Sequence, residues 1–142
     1  MLTDLEAAYI SGIIDGEGHI SIEKHKQNWM YPSVRVCSTD RRIIDYLQQL
    51  LGGSIQTQAA GPRRRETFYW VFTGLERIGT LEPLVSRFSI IKKEQWELIE
   101  EFIHGRQVSK AFANQKLPEE EIIRRLDVKS RLQALTRRTF DA

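Results

Sequence analysis

The chain has 142 residues, of which 41% are hydrophobic, and this is typical of one folded domain with its own core. Lys and Arg number 21 and Asp and Glu number 19, so a net charge of +2 argues only weakly for a nucleic-acid partner. The single cysteine, Cys37, excludes an internal disulfide and a cysteine-rich zinc site. Because the sequence shows neither a membrane-spanning run nor a secretion signal, we expect an intracellular protein with no membrane partner.

The N-terminal segment predicts a helix that is capped by Thr3 or Asp4 and ends near Gly16 to Gly18. Residues at three- and four-residue spacing form one face, which we expect to be buried: Leu5, Ala8, Tyr9, Gly12, Ile13 and Gly16. Each glycine in a helix costs about 1 kcal/mol relative to alanine, but two glycines four residues apart let another backbone approach closely. We therefore expect a second helix to pack on this face.

Two carboxylates lie at the end of the same helix. Asp15 and Glu17 crowd its C-terminus, where the helix dipole disfavours negative charge, just before Gly18 turns the chain. Acids in such a position are expected to bind something positive.

Two hairpins and a helix follow. Ile20 and Ile22 mark the core side of a first strand, which passes through a turn at Lys26–Asn28 into a strand from Met30 to Ser38. An apolar helical stripe from Ile43 to Leu51 is stopped by a glycine pair. The second hairpin is predicted from Ser54 to Ala59 and from Thr67 to Thr73, with three consecutive arginines at its tip and with Phe68, Trp70 and Phe72 towards the core.

The rest of the chain reads as helical. Gly79 and Pro83 are predicted to break the segment after Gly74 into short pieces, and an amphipathic helix then ends near Gly105. The tail from Arg106 to Ala142 has nine basic residues against five acidic ones and a helix predicted from Pro118. A solvated helix whose charges match its dipole explains most of this pattern, and contact of the tail with a DNA backbone is the alternative that stays open.

This order predicts an α+β fold in which one four-stranded antiparallel sheet is backed by helices on one face. The core would comprise about residues 1–104 of a single domain over residues 1–142, and helices at about residues 105–142 would extend it. The other face of the sheet is predicted to be open and polar, and its residues are the candidates for DNA contact: Ser21, Glu23, His25, Tyr31, Ser33, Arg35, Gln56, Gln58, Arg63, Arg64, Arg65, Thr67 and Tyr69. An ordinary solvated sheet face would give the same pattern.

The segment from Ile10 to Gly18 resembles the signature motif of the LAGLIDADG homing endonucleases. The motif glycines fall on Gly12 and Gly18, and the two acids fall on Asp15 and Glu17. The order of elements to about Phe102 also follows that family. The resemblance implies an αββαββα fold whose sheet forms a saddle across DNA.

The resemblance also implies roles for individual residues. Glu17 resembles the catalytic, metal-binding acid, with Gly16 beside it at the metal site, and Lys92 resembles the catalytic basic residue beside the scissile phosphate. Asp15 resembles the structural acid that caps the neighbouring motif helix. Ser38, Arg41 and Arg42 fall where the family has other polar residues of a candidate pocket.

A single motif per chain supplies one metal-binding carboxylate, so two chains are needed to cut two strands. We expect a homodimer through the motif helices, with an interface that includes Tyr9, Gly12, Ile13, Asp15 and Gly16. The implied reaction is hydrolysis of both strands of a long, nearly palindromic duplex DNA site. Oxygen ligands favour Mg2+, Mn2+ is expected to substitute, Ca2+ is expected to bind without supporting cleavage, and no small-molecule cofactor is expected.

Two alternatives compete with this hypothesis. One is a non-cleaving relative that binds RNA or DNA with the same saddle, as an RNA maturase or a DNA-binding regulator does. The other is a plain dimeric interaction domain, which would have no salt-dependent affinity for DNA.

Overall fold

The structure, a computed structural model, describes residues 2–26, 29–108 and 117–141. In chain order its elements are α1 (Asp4–Glu17), β1 (Gly18–Lys24), β2 (Met30–Ser38), α2 (Arg41–Leu51), β3 (Ser54–Gln58), β4 (Thr67–Thr73), α3 (Leu75–Val85), a short 3-10 turn (Ser86–Phe88), α4 (Lys93–Val108) and α5 (Glu119–Asp141). This confirms the predicted αββαββα order with C-terminal helices. Two predicted features fall partly outside the described residues: Gln27 and Asn28 of the first turn, and 109–116 of the tail.

The four strands form one antiparallel sheet in the order β1-β2-β4-β3. Ile20 pairs with Val34 and Val34 pairs with Phe72, so one row of buried side chains crosses three strands on the core face. Because side chains alternate along a strand, the polar residues between them share the opposite face. The predicted arrangement of sheet and helices is confirmed.

The α1 helix begins with a reciprocal cap. The Glu6 N–H donates to the Thr3 hydroxyl, and the Thr3 N–H donates to the Glu6 carboxylate. At the other end the helix passes directly into β1. A Cβ atom on Gly18 would lie 2.6 Å from the main-chain oxygen of Ile14, so only glycine fits where the helix becomes a strand.

The predicted buried face of α1 is wrong for the chain by itself. The face that packs on the core consists of Ala7, Ile10, Ser11 and Ile14. Leu5 is 86% exposed and Tyr9 is 53% exposed, and Gly12 and Gly16 are exposed as well. The helix therefore has two largely apolar faces, and the fold of one chain covers only one of them.

The α3 helix also differs from the prediction. Gly79 and Pro83 do not break it, and it runs without interruption from Leu75 to Val85. Proline lacks a main-chain N–H, so it removes one hydrogen bond of the helix. Because Pro83 lies in the last turn, the rest of the helix keeps its hydrogen bonds. Burial of Ile78 and Leu81 against the core favours the continuous helix.

The α5 helix packs against α4 and β1 and is not solvated all round. Val128 and Leu132 are buried in the core. Arg124 donates to the main-chain oxygens of Glu101 and Phe102 on α4. None of the helices in the described ranges is both long and apolar enough to cross a membrane.

The glycine pair between α2 and β3 allows a direct test of the packing. Gly52 and Gly53 have φ angles of 81° and 92°, which L side chains rarely adopt, and the Trp70 indole donates to the Gly52 oxygen at 2.7 Å. A Cβ atom on Gly53 would lie 2.8 Å from the Val71 oxygen, whereas a Cβ atom on Gly52 would meet nothing within 4 Å.

We expect Gly52→Ala to cost about 1–2 kcal/mol of unfolding free energy, because it adds backbone strain alone. Gly53→Ala is expected to cost about 2–5 kcal/mol, because it adds a steric clash to that strain. Urea unfolding followed by tryptophan fluorescence measures both values. Equal costs for the two variants would contradict the close packing described at Gly53.

Candidate active centre and nucleic-acid interface

The C-terminal end of α1 is tied to the segment that opens α4. The Asp15 carboxylate accepts hydrogen bonds from the Ser89 hydroxyl at 2.6 Å and from the main-chain N–H groups of Ile90 at 2.7 Å, Ile91 at 3.2 Å and Lys92 at 3.3 Å. Both carboxylate oxygens are engaged. Desolvation would by itself raise the pKa of Asp15, but these four bonds outweigh it, so the pKa of the carboxyl lies below its ordinary value.

The same contact positions Lys92. The side chain is only 8% exposed, and its ammonium donates to the main-chain oxygen of Asp15 at 2.7 Å. Desolvation lowers the pKa of Lys92 below its ordinary value, against the carboxylates of Asp15 and Glu17, which raise it. The predicted catalytic lysine is thus a buried cation, and its charge interacts with both acids of the motif.

Glu17 is the last residue of α1 and is exposed. Among the described residues, none donates a hydrogen bond to its carboxylate. The two acids of the motif therefore have different surroundings, although they are two residues apart. Asp15 is engaged by its own chain, and Glu17 is available to a ligand.

Within a single chain the Asp15 carboxylate has partners other than the neighbouring motif helix that it was predicted to cap. It accepts four bonds from residues 89–92 of the same chain, and these bonds occupy both oxygens. Its partner is therefore the start of α4 within the chain. The contact joins residues 74 to 77 positions apart, so no local spacing in the sequence could have identified Ser89 as a member of the site.

An open groove of about 920 Å3 runs beside Glu17 between α1, the end of β2 and the start of α2. Its apolar wall includes Tyr9, Ile13, Ile43 and Tyr46, and its polar wall includes Glu17, Ser38, Arg42 and Thr67. The rings of Tyr9 and Tyr46 meet edge to face with centroids 5.4 Å apart. The groove therefore joins part of the predicted dimer surface to part of the predicted pocket.

The three predicted pocket residues are differently engaged. The Ser38 hydroxyl accepts a bond from the Asp40 N–H at 3.0 Å. Arg42 lines the groove and is paired with Asp40 at 2.6 Å, and this pairing lowers the pKa of Asp40 to about 2. Arg41 does not line the groove, since it pairs with Asp45 and lies over the Phe68 ring.

The open face of the sheet carries most of the predicted DNA-contact residues. Eight are exposed, namely Glu23, His25, Arg35, Gln56, Gln58, Arg63, Arg64 and Arg65, and three are half-buried, namely Ser21, Tyr31 and Tyr69. The Arg35 guanidinium lies over the Tyr69 ring at 5.6 Å, and the Tyr69 hydroxyl donates to Gln58 at 3.1 Å. These side chains form a connected polar surface across β2, β4 and β3.

Three members of that predicted set are placed differently. Ser33 lies on the open face but is only 6% exposed, because it is a short side chain on an inner strand. Thr67 is 9% exposed, and its hydroxyl donates to the Arg65 oxygen. His25 follows the end of β1 and lies beyond the paired strand. Ser33 and Thr67 are therefore poor candidates for direct base contact.

His19 belongs to the open face, although it is not among the predicted DNA-contact residues. It is exposed and pairs in register with Arg35 on β2. The two-residue alternation that predicted Ser21 and Glu23 applies equally to His19, so the signal was present in the sequence.

The described residues contain no group of three or more His, Cys, Asp or Glu side chains that could by itself hold a metal ion. Glu17 offers an exposed carboxylate, and the Gly16 oxygen is among the last carbonyls of α1, which lack intrahelical donors. Carboxylate and main-chain oxygens suit Mg2+, which also keeps water and phosphate oxygens as ligands. The donor types therefore fit such an ion as a partial site, which needs oxygen ligands from outside the chain.

We expect the Asp15 contact to give a pH-dependent contribution to stability. Because the pKa of Asp15 is lowered on folding, its contribution is complete above the ordinary aspartate pKa of about 3.9 and is lost as the pH falls through the folded-state pKa. Asp15→Asn is expected to lower the unfolding free energy by about 1–3 kcal/mol near neutral pH, and by progressively less at lower pH.

Chemical denaturation of both proteins at several pH values measures this difference. Asp45→Asn is the matched control, since it removes an exposed carboxylate from an i,i+4 pair and should change the stability by less than about 0.5 kcal/mol. A difference between wild type and Asp15→Asn that does not vary with pH would contradict the assignment.

Known proteins resemble the chain in both sequence and fold. Residues 4–68 match the family model of the LAGLIDADG-like domain. None of the curated proteins compared with the chain gives a significant sequence match.

Three solved structures illustrate the likeness in fold. The archaeal intron-encoded homing endonuclease I-Vdi141I, complexed with DNA, matches with a TM-score of 0.73 and 21% identity over 93% of this chain and 84% of that chain. The homing endonuclease I-CvuI, bound to its target in the presence of Ca, matches with a TM-score of 0.73 and 17% identity over 93% and 82%. The LAGLIDADG homing endonuclease I-SmaMI, bound to cleaved DNA, matches with a TM-score of 0.65 and 17% identity. The match covers 87% of this chain but only 42% of the I-SmaMI chain. The sequence match and the shared fold together confirm the resemblance of this chain to the LAGLIDADG homing endonuclease family.

Proposed function

We propose that the chain is a metal-dependent DNA endonuclease that acts as a homodimer and cuts both strands of a long, nearly palindromic site. The observation that carries the proposal is the pairing of two unlike groups at the end of α1. Glu17 is exposed and available to a ligand, whereas Lys92 is buried beside it and anchored by Asp15. A ligand-binding carboxylate and an oriented cation are what hydrolysis of a phosphodiester requires.

The DNA would lie on the open face of the sheet. This face carries Arg35, and three consecutive arginines lie at the tip between β3 and β4. Arginine and glutamine side chains can read base edges in the major groove, and arginine also binds phosphate. The structures of I-Vdi141I and I-CvuI, which share this fold, contain DNA.

The dimer would form through the uncovered face of α1. Leu5 and Tyr9 are exposed there, and a Cβ atom on Gly12 or Gly16 would meet nothing within 4 Å in the single chain. Two copies crossing at these glycines would bring their helix backbones close together and bury the apolar side chains. A comparison of chain lengths supports a dimer of this chain. I-SmaMI is matched over only 42% of its chain, so its chain has room for a second unit of this size.

The chain's own residues suggest how charge is handled in the reaction. Glu17 and the Gly16 oxygen would hold a divalent cation, which supplies Lewis acidity and a more acidic bound water. The Lys92 ammonium has three N–H donors. One donates to the Asp15 main-chain oxygen, so two remain for a phosphate oxygen. Its burial strengthens the attraction to a negative phosphate. Asp15 would act as a positioning residue, because it holds both the main chain and the side chain of Lys92.

A non-cleaving nucleic-acid-binding protein is the second candidate. The structure of I-CvuI with the I-CreI target in the presence of Mg holds DNA that is not cleaved, so binding and cleavage can be separated in this fold. The exposed Glu17 next to the buried Lys92 favours cleavage, since binding alone would need neither.

Glu17→Gln is expected to abolish cleavage while leaving DNA affinity within about threefold of wild type, because the substitution removes a charge needed by the metal ion and keeps the shape. Incubation of wild type and variant with a library of random duplex sites and Mg2+, followed by sequencing of the cut ends, measures cleavage. Gel-shift titration in Ca2+ measures binding. A wild-type protein that binds a selected site and never cuts it would favour the non-cleaving alternative.

Gly12→Leu is expected to separate the dimer and yet stabilise the single chain. Leucine has the higher helix propensity by about 1 kcal/mol, and the position is open within one chain. In a dimer the same side chain would hold two helices apart. Sedimentation velocity measures the association state, and thermal unfolding checks the fold. A Gly12→Leu protein that remains a dimer would rule out this face as the interface.

A further inference from the structure

A second, smaller groove of about 290 Å3 lies between α5 and the edge strand β1. From β1 it is lined by His19, Ser21 and Glu23, which belong to the open face of the sheet. From α5 it is lined by Leu132 and by four polar side chains: Lys129, Gln133, Thr136 and Arg137. The groove therefore adjoins the proposed DNA surface and adds residues that no strand supplies.

Among the described side chains of α5, three arginines have structural partners. Arg124 and Arg125 pair with Glu121, and Arg124 also binds main-chain oxygens of α4. Arg131 pairs with Asp127 and with Glu101. These cations hold the helix in place and are not available to a ligand.

Arg137 differs from them. It is exposed, lines the groove, and among the described residues makes no hydrogen bond or ion pair. Lys129, in the same groove, donates one hydrogen bond to the Ile22 oxygen at 2.9 Å and retains two further N–H donors. The groove thus contains one unpaired guanidinium and one ammonium whose donors are only partly used.

We propose that this groove binds a backbone phosphate of the duplex that lies on the sheet, with Arg137 as the principal cation and Lys129 as the second. This rests on the proposed function, because it assumes that DNA covers the open face. Thr136 and Gln133 supply neutral donors in the same wall. The tail would therefore divide its cations between anchoring α5 and contacting DNA.

Among the described residues, one carboxylate faces the groove. Glu23 accepts a hydrogen bond from the Ser21 hydroxyl at 2.7 Å, which ties it to its own strand. Against this single negative charge stand Lys129 and Arg137, and His19 adds a further donor. The charge at the groove therefore favours an anion.

The test is the salt dependence of affinity for a duplex of arbitrary sequence, since a phosphate contact carries no sequence information. Arg137→Gln is expected to weaken binding about tenfold at low salt. It should also reduce the slope of log affinity against log salt by about one per subunit, or about two per dimer. Arg137→Lys should keep most of the slope.

Arg131→Gln is the matched control. It removes the same charge from the same helix, but its partners lie on α4 and α5, away from the groove, so the salt slope should not change. Circular dichroism melts establish that each variant is folded.

The outcomes separate the two proposals. A wild-type protein with no salt-dependent DNA affinity would overturn the proposed function itself. If wild type binds and Arg137→Gln binds with an unchanged slope, only the phosphate groove is wrong. Equal losses in Arg137→Gln and Arg131→Gln would show a general charge effect and would also overturn the groove.

Discussion

The contact between Asp15 and the segment 89–92 is the constraint on which the candidate active centre depends. It joins the end of the first helix to the start of the fourth across more than seventy residues. The carboxylate compensates four donors that would otherwise be left at the N-terminal approach to α4, and it keeps a negative charge there, where the helix dipole favours it. This contact fixes the main chain of Lys92 at the end of α1, where Glu17 also lies.

The two acids of the motif show how position within one turn of helix separates structural from chemical roles. The Asp15 carboxylate accepts hydrogen bonds from its own chain, whereas Glu17 is the final helical residue and accepts none from the described residues. A Cβ atom on Gly18 would lie 2.6 Å from the Ile14 oxygen, so only glycine fits at this position, and β1 begins immediately. A short, glycine-bounded segment thus connects the helix interface, the acid and the first strand of the open face.

The fold could be predicted largely from the sequence because its signals are local. Alternation gave the four strands, and the glycine pair at Gly52 and Gly53 gave the end of α2. What failed depended on distant packing. The face of α1 that packs within the chain was not the predicted one, because both faces are largely apolar and contacts with α3 and the sheet decide between them. Pro83 was expected to break a helix because burial of its neighbours cannot be judged from spacing.

The members of the candidate site also differ in how far the sequence predicts them. The family resemblance suggested Glu17, Lys92 and Asp15, but the donors to Asp15 come from residues that no pattern connects to it. Ser33 and Thr67 alternate correctly, yet one lies beneath longer neighbours and the other satisfies a main-chain oxygen. Periodicity assigns a face to a residue, and the heights of surrounding side chains decide whether it can be reached.

The position of α5 has a consequence for how the protein is made. An edge strand presents unpaired main-chain groups that can recruit other chains, and here α5 covers β1 and Lys129 binds its Ile22 oxygen. These two residues are 107 positions apart. During synthesis the sheet can therefore pair its four strands well before the helix that shields its edge has left the ribosome. Over that interval the nascent chain exposes an unprotected strand, and completion of α5 ends its exposure to aggregation.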